Sequence, residues 1–174
     1  MAKRSDDDRP DFVDLSGRVY RLCLAVLGDE SDARDAAQEA FVRAWARKGR
    51  KRRDVAWWTW LAGFAVRTCR EVRRRKLSAA GGEPDGGETT SAGASVGFAQ
   101  GDDARQDELL RGLARLPNRQ REVTILRFIM GMSIRETAET LGCPPGTVKS
   151  NLARAFAGLR TALQERVPGE MRGF

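Results

Sequence analysis

Histidine is absent from all 174 residues. Its absence removes the commonest general acid and base of enzyme sites and excludes every His-containing zinc site. Cysteine is scarce. Cys23, Cys69 and Cys143 form an odd, widely spaced trio with no CxxC pair, so neither a disulfide framework nor a thiolate metal site is expected. No segment approaches the roughly 18 uninterrupted apolar residues of a membrane span. Residues 1–10 are charged rather than apolar, so no signal peptide is expected. No nucleophile elbow and no phosphate-binding P-loop appears. These absences point to a cytoplasmic, non-enzymatic protein with no cofactor, no metal, no membrane contact and no small-molecule substrate.

What the chain does have is positive charge, unevenly placed. Lys and Arg number 31 against 24 Asp and Glu, a net charge of +7. Residues 1–77 hold 19 basic and 12 acidic side chains, residues 78–107 hold one and six, and residues 108–174 hold 11 and six. Two basic blocks thus flank an acidic connector. A merely soluble basic protein has no need of that distribution; two nucleic-acid-facing modules on a tether do.

Apolar periodicity is helical throughout and no convincing strand pattern appears. Residues 1–10 read as a disordered lead-in and 11–77 as a first helical module. In it Phe12, Leu15, Val19, Leu22, Cys23, Val26 and Leu27 make one face, Gly28 a stop, and Asp29 or Ser31 a cap for the next helix. That second helix turns Ala33, Ala37, Ala40, Phe41 and Ala44 inward. Residues 78–106, rich in Gly, Ser and Asp, read as a flexible linker. A second module spans 107–167, with Leu109, Leu110, Leu113 and Leu116 before Pro117, then a helix carrying Val123, Leu126, Phe128, Ile129 and Met130. Residues 168–174 read as a frayed tail. The expected fold is all-α, two small helical modules joined by the linker.

The second module ends in a helix-turn-helix pattern. Ser133 followed by Glu136 is a capping box, Gly142 suits a left-handed helix stop, and Pro144 and Pro145 restart the chain. Val148, Leu152, Phe156, Leu159 and Leu163 form the expected buried stripe of the last helix. Thr147, Lys149, Ser150, Asn151 and Arg154 fall off that stripe at its N-terminal end, where a recognition helix meets the major groove.

The first module carries a different device. Arg47, Lys48, Arg50, Lys51, Arg52 and Arg53 place six cations in seven residues, a run that repels itself and must be an exposed loop. Trp57, Trp58 and Trp60 follow at once, and Arg67, Arg70 and Arg73 to Lys76 extend the basic strip. Aromatic faces beside cations are equipment for stacking single-stranded bases while tracking phosphates; some of the three Trp rings must be core, with Trp57 or Trp58 the expected exposed one.

Gly146-Thr147-Val148-Lys149-Ser150 with Leu152 and Arg154-Ala155, preceded by Leu116-Pro117, Gln120-Arg121-Glu122-Val123 and Gly131-Met132-Ser133, resembles region 4 of extracytoplasmic-function (ECF) sigma factors. Gly28-Asp29, Ala33, Asp35, Gln38-Glu39-Ala40-Phe41, Trp45, Trp60-Leu61 and Arg67-Thr68-Cys69 resemble region 2 of the same family. The resemblance covers about 120 residues in the family's order and implies specific roles. Asp35, Gln38 and Glu39 would dock on the clamp helices of the largest subunit of core RNA polymerase, with the flap a further contact. Arg47 to Arg75, and within it Arg47, Lys48, Arg50, Lys51, Arg52, Arg53, Trp57, Trp58, Arg67, Arg70 and Arg74, would melt the promoter −10 element and hold its single strand. Thr147, Lys149, Ser150, Asn151 and Arg154 would read the −35 duplex. Many members also have an anti-sigma factor as partner. The alternative is a two-domain helix-turn-helix regulator of duplex DNA without polymerase docking, which gives no reason for the Gln38-Glu39 helix or the Trp cluster.

Overall fold

The computed structural model describes residues 12–81 and 112–164, and every regular element among them is helical. In the first module α1 (Phe12–Leu27), α2 (Glu30–Ala46) and α3 (Trp57–Ala79) pack on one another, with a short 3-10 turn (Lys48–Arg50) between the last two. Gly28, at φ +75°, lets the chain reverse without a Cβ clash. Asp29 then caps α2 by accepting a hydrogen bond from the Asp32 amide at 2.8 Å. Ala33, Ala36, Ala37, Ala40 and Ala44 are buried along α2, and their small side chains let α1 and α3 approach closely. Val19, Leu22 and Val26 of α1 are at most 1% exposed, and each such side chain contributes about 1.5–3 kcal/mol by leaving water.

The second module begins at a helical stretch over residues 112–115, whose Leu113 is buried, as is Leu116 just beyond it. It continues through α4 (Asn118–Thr124), a wider π-helical turn (Ile125–Ile129), α5 (Ile134–Leu141) and α6 (Pro145–Gln164). Ser133 and Glu136 form both hydrogen bonds of the capping box, at 2.8 and 3.1 Å. That bonding holds the Glu136 carboxyl below its usual range. Gly142 ends α5 in the left-handed conformation, φ +62°.

Arg121 is the polar anchor of this module. It is 3% exposed and donates to the carbonyls of Leu113 at 2.9 Å and Leu116 at 3.2 Å, and also to that of Ala114. Burial pushes its pKa down to about 10, so it still enters the core charged at neutral pH.

Several apolar positions differ from the periodic reading. Phe156 is half exposed while Ala155 is buried. At about 100° per residue, Phe156 lies some 80° round the helix from Val148, whereas Ala155 lies only about 20° away. Phe128 and Ile129 emerge at the π turn, which cannot turn three successive apolar residues to one side; Phe128 meets Phe156 edge-on at 5.3 Å. Phe12 also stands half exposed, edge-on to Trp45 at 5.5 Å. α3 runs to Ala79, two residues past the expected module end. The lead-in 1–10, the linker over 82–106, the Leu109-Leu110 pair, the side chain of Leu163 and the tail 168–174 lie outside the described residues.

The two modules pack together, α3 of the first against α4 and α5 of the second. Thr140 donates to the Thr59 carbonyl at 3.3 Å. Gly63 makes room for α5: a Cβ there would stand 3.3 Å from the Thr140 carbonyl oxygen.

Candidate nucleic-acid interface

The turn at Gly142 delivers the chain through Cys143 and Pro144 into α6, whose inner side is fixed by buried Val148, Leu152 and Ala155. Lys149, Ser150 and Arg154 consequently face solvent, with Thr147 half-buried at the edge. Asn151 does not join them. It is 6% exposed and its amide donates to the Thr147 carbonyl at 2.8 Å. Its position, about 60° round from Val148, places it on the flank of the buried stripe.

In the basic loop Arg47, Lys48, Arg50, Arg52 and Arg53 are exposed and Lys51 is half-buried. The loop also organises itself. Lys48 sits 3.8 Å above the Trp45 ring and Lys51 4.9 Å above Trp57, each a cation on an aromatic face. Arg52 forks onto Asp54, with the Nε bond at 3.0 Å. This pairing holds the Asp54 carboxyl below its ordinary range.

Trp58 is not an exposed ring. It is 8% exposed, with the Arg18 guanidinium 4.2 Å from its ring. Trp58, Leu61, Ala62, Ala65 and Cys69 share the buried stripe of α3, so this ring belongs to the packed interior. Trp57 and Trp60 are the half-exposed rings, edge-on to each other at 5.8 Å, and Trp60 also meets Phe64 at 4.9 Å. Their i, i+3 spacing puts them on one side of α3, a signal the sequence already held.

Arg67 is exposed, 4.6 Å from the Phe64 ring; partial desolvation, reinforced by Arg47 and Arg70, lowers its pKa. Arg74 is exposed further along α3. Arg52, Arg67, Arg70 and Trp60 line one cavity of about 350 Å³, whose far wall is Glu139 to Gly142 of the second module. Arg70 is already engaged. It and Arg73 grip Glu122 of α4, whose side chain is 2% exposed. Nothing in the periodic pattern marks Glu122, which sits in a run of polar residues that reads as solvated.

On α2, Asp35, Gln38 and Glu39 face solvent. Glu39 pairs with Arg43 at 2.7 Å, and Arg43 reaches Glu71 of α3 at 2.6 Å. Those bonds, Glu71 first, raise the Arg43 pKa. The same side of α2 continues into Val42 and Trp45, 60% and 53% exposed, with Phe12 beside them. The charged residues of α2 give no hint of this apolar extension. Its one sequence signal is that Val42 and Trp45 fall off the alanine stripe.

Among the described residues no helix is long and apolar enough to cross a membrane, and no cluster of potential ligands could hold a metal ion.

Residues 12–78 match the family model of sigma-70 region 2, and residues 106–159 that of sigma-70 region 4. The chain is 31% identical to the ECF RNA polymerase sigma factor SigW of Bacillus subtilis, over 95% of this chain and 94% of that protein. It is 32% identical to the RNA polymerase sigma-H factor of Pseudomonas aeruginosa, over 84% and 81%. Its fold matches the sigma factor RpoE of Bartonella quintana, solved with the anti-sigma factor NepR, at a TM-score of 0.71 and 21% identity over 92% of this chain and 98% of that one. CnrH, solved with the cytosolic domain of CnrY, matches at 0.64 and 22% identity over 88% and 84%. The chain belongs to the ECF group of the sigma-70 family, the factors that direct RNA polymerase to promoters.

Proposed function

We propose that the chain, acting in the cytoplasm and without catalysis of its own, docks on core RNA polymerase and grips a promoter at two places by two kinds of chemistry. Lys149, Ser150 and Arg154 of α6, with Thr147 at the rim, read the −35 element as duplex, since major-groove edges distinguish all four base pairs. The loop Arg47–Arg53, with Arg67, Arg70 and Arg74, tracks phosphates of the melted −10 strand, and Trp57 and Trp60 supply stacking faces. Asp35, Gln38 and Glu39 of α2, extended by Val42 and Trp45, meet polymerase. The sigma factor RpoE, which shares this fold, is bound to the anti-sigma factor NepR, which supports an anti-sigma partner here as well.

One observation carries the reading: an exposed cationic turn suited to duplex and a half-exposed Trp pair beside cations stand on different modules. A regulator of duplex DNA needs only the first. Gel filtration of the chain with purified core polymerase is the test. Co-elution is expected; binding of duplex DNA with no polymerase capture would favour the regulator instead.

A further inference from the structure

Three charged side chains run in a row from the outer face of α2 to α3. Arg43 donates through Nε to Oε1 of Glu39 at 2.7 Å and through Nη1 to Oε2 of Glu71 at 2.6 Å. The Glu39 side chain is 49% exposed, Arg43 29% and Glu71 33%, so the row starts in solvent and ends against the neighbouring helix. Glu71 has Arg67, Arg70, Arg74 and Arg75 within about one turn of its own helix. Its one ion pair among the described residues nevertheless crosses to α2. Oε2 of Glu39 takes no donor from the described residues.

We propose that Arg43 and Glu71 are positioning residues for polymerase docking: anchored by Glu71, Arg43 holds the Glu39 carboxylate outward, with Oε2 open to a donor of polymerase. The inference rests on the reading of Glu39 as a polymerase contact. An isolated i, i+4 pair on a solvated helix must order two long side chains at once and so holds neither firmly. Here Glu71 has already ordered the guanidinium, and fixing Glu39 costs only the rotamer freedom of its own side chain. The planar fork matters, since Arg offers donors at fixed angles and Lys a single rotatable ammonium. Charge acts in the same direction. Glu39 and Arg43 alone cancel, whereas two carboxylates and one guanidinium leave a negative charge to attract a cationic partner. At about 100° per residue, Arg43 lies about 40° round α2 from Glu39 and about 100° from Val42. That places it at the rim of the docking face rather than within it.

The test is a double-mutant cycle on the full chain, reading affinity for purified core polymerase by fluorescence anisotropy of the labelled chain. Glu39→Gln should weaken capture. Glu71→Gln, on a different helix, should weaken it roughly two- to tenfold, the equivalent of ordering one long side chain on binding. In the Glu39→Gln background Glu71→Gln should have no further effect. Arg43→Lys keeps the charge and loses the fork, and should show the same pattern. It stands in if Glu71→Gln loosens the packing of α2 on α3, which melting of the circular dichroism signal monitors. A loss of the same size with and without Glu39 would make the bond a structural brace and overturn the proposal, as would unchanged capture by both variants. Full capture by Glu39→Gln would instead overturn the docking reading, and the positioning role with it.

Discussion

The Asn151 amide donates to the Thr147 carbonyl at 2.8 Å, inside the first turns of α6. This bond accompanies a difference in exposure between two neighbours in sequence: Ser150 faces solvent and Asn151 does not. Arg154→Ala should cost about 1–3 kcal/mol of −35 duplex affinity and leave polymerase affinity unchanged. Asn151→Ala should instead lower the unfolding midpoint slightly and leave the order of preferred −35 sequences intact. A change of preference in the Asn151 variant would place that residue on the reading face after all.

The docking face proposed on α2 includes the exposed apolar residues Val42 and Trp45, which charge alone would not reveal. Asp35→Lys combined with Trp45→Ala should abolish capture of core polymerase while the helical circular dichroism signal is retained. Trp45 is half exposed, so its removal should not cost the core. Full capture by the double variant would remove α2 from the polymerase interface.

Arg50 and Arg53 are exposed and make no ion pair among the described residues, whereas Arg52 is shared with Asp54. Replacing Arg50 and Arg53 by Gln should flatten the log–log salt dependence of −10 strand binding by about 0.7 for each phosphate no longer neutralised, with promoter choice unchanged. Trp60→Ala should leave that slope alone and weaken binding by about 1–3 kcal/mol per stacked base, seen as reduced permanganate reactivity of −10 thymines. An unchanged slope in the arginine variant would reduce the loop to a solvated surface.

Arg121 predicts a purely structural effect. Arg121→Met takes the guanidinium donors from three backbone carbonyls, of which Leu113 keeps the Leu116 amide at 3.1 Å, and should destabilise the second module by about 3 kcal/mol in urea unfolding. Lys should not rescue it, because an ammonium cannot reproduce the planar fork. A destabilisation below about 1 kcal/mol would mean that water replaces the guanidinium at little cost.

Local chemistry makes much of this molecule legible in its sequence. Asp29, Ser133, Glu136 and Gly142 act within four residues of themselves, so their caps and stops follow from spacing alone. The alanines of α2 announce close packing for the same reason. Rotation about the helix axis and long-range pairing are harder to read. Steps of four residues drift about 40° beyond each full turn, so simple periodicity turns Phe156 inward and Asn151 outward, the reverse of what the structure shows. Trp58 cannot be told from Trp57 until the α3 stripe is placed against α1. Glu122 meets its partners 49 and 52 positions away, and no local pattern records such a pairing.

Transcription by purified core polymerase on a fragmented genomic library, with and without the chain, tests the central claim most directly. The chain should create new start sites that share one −35 and one −10 sequence at a fixed spacing, and Lys149→Ala with Arg154→Ala should remove them. Start sites identical to those of core polymerase alone, with no shared upstream sequence, would contradict a promoter-directing role.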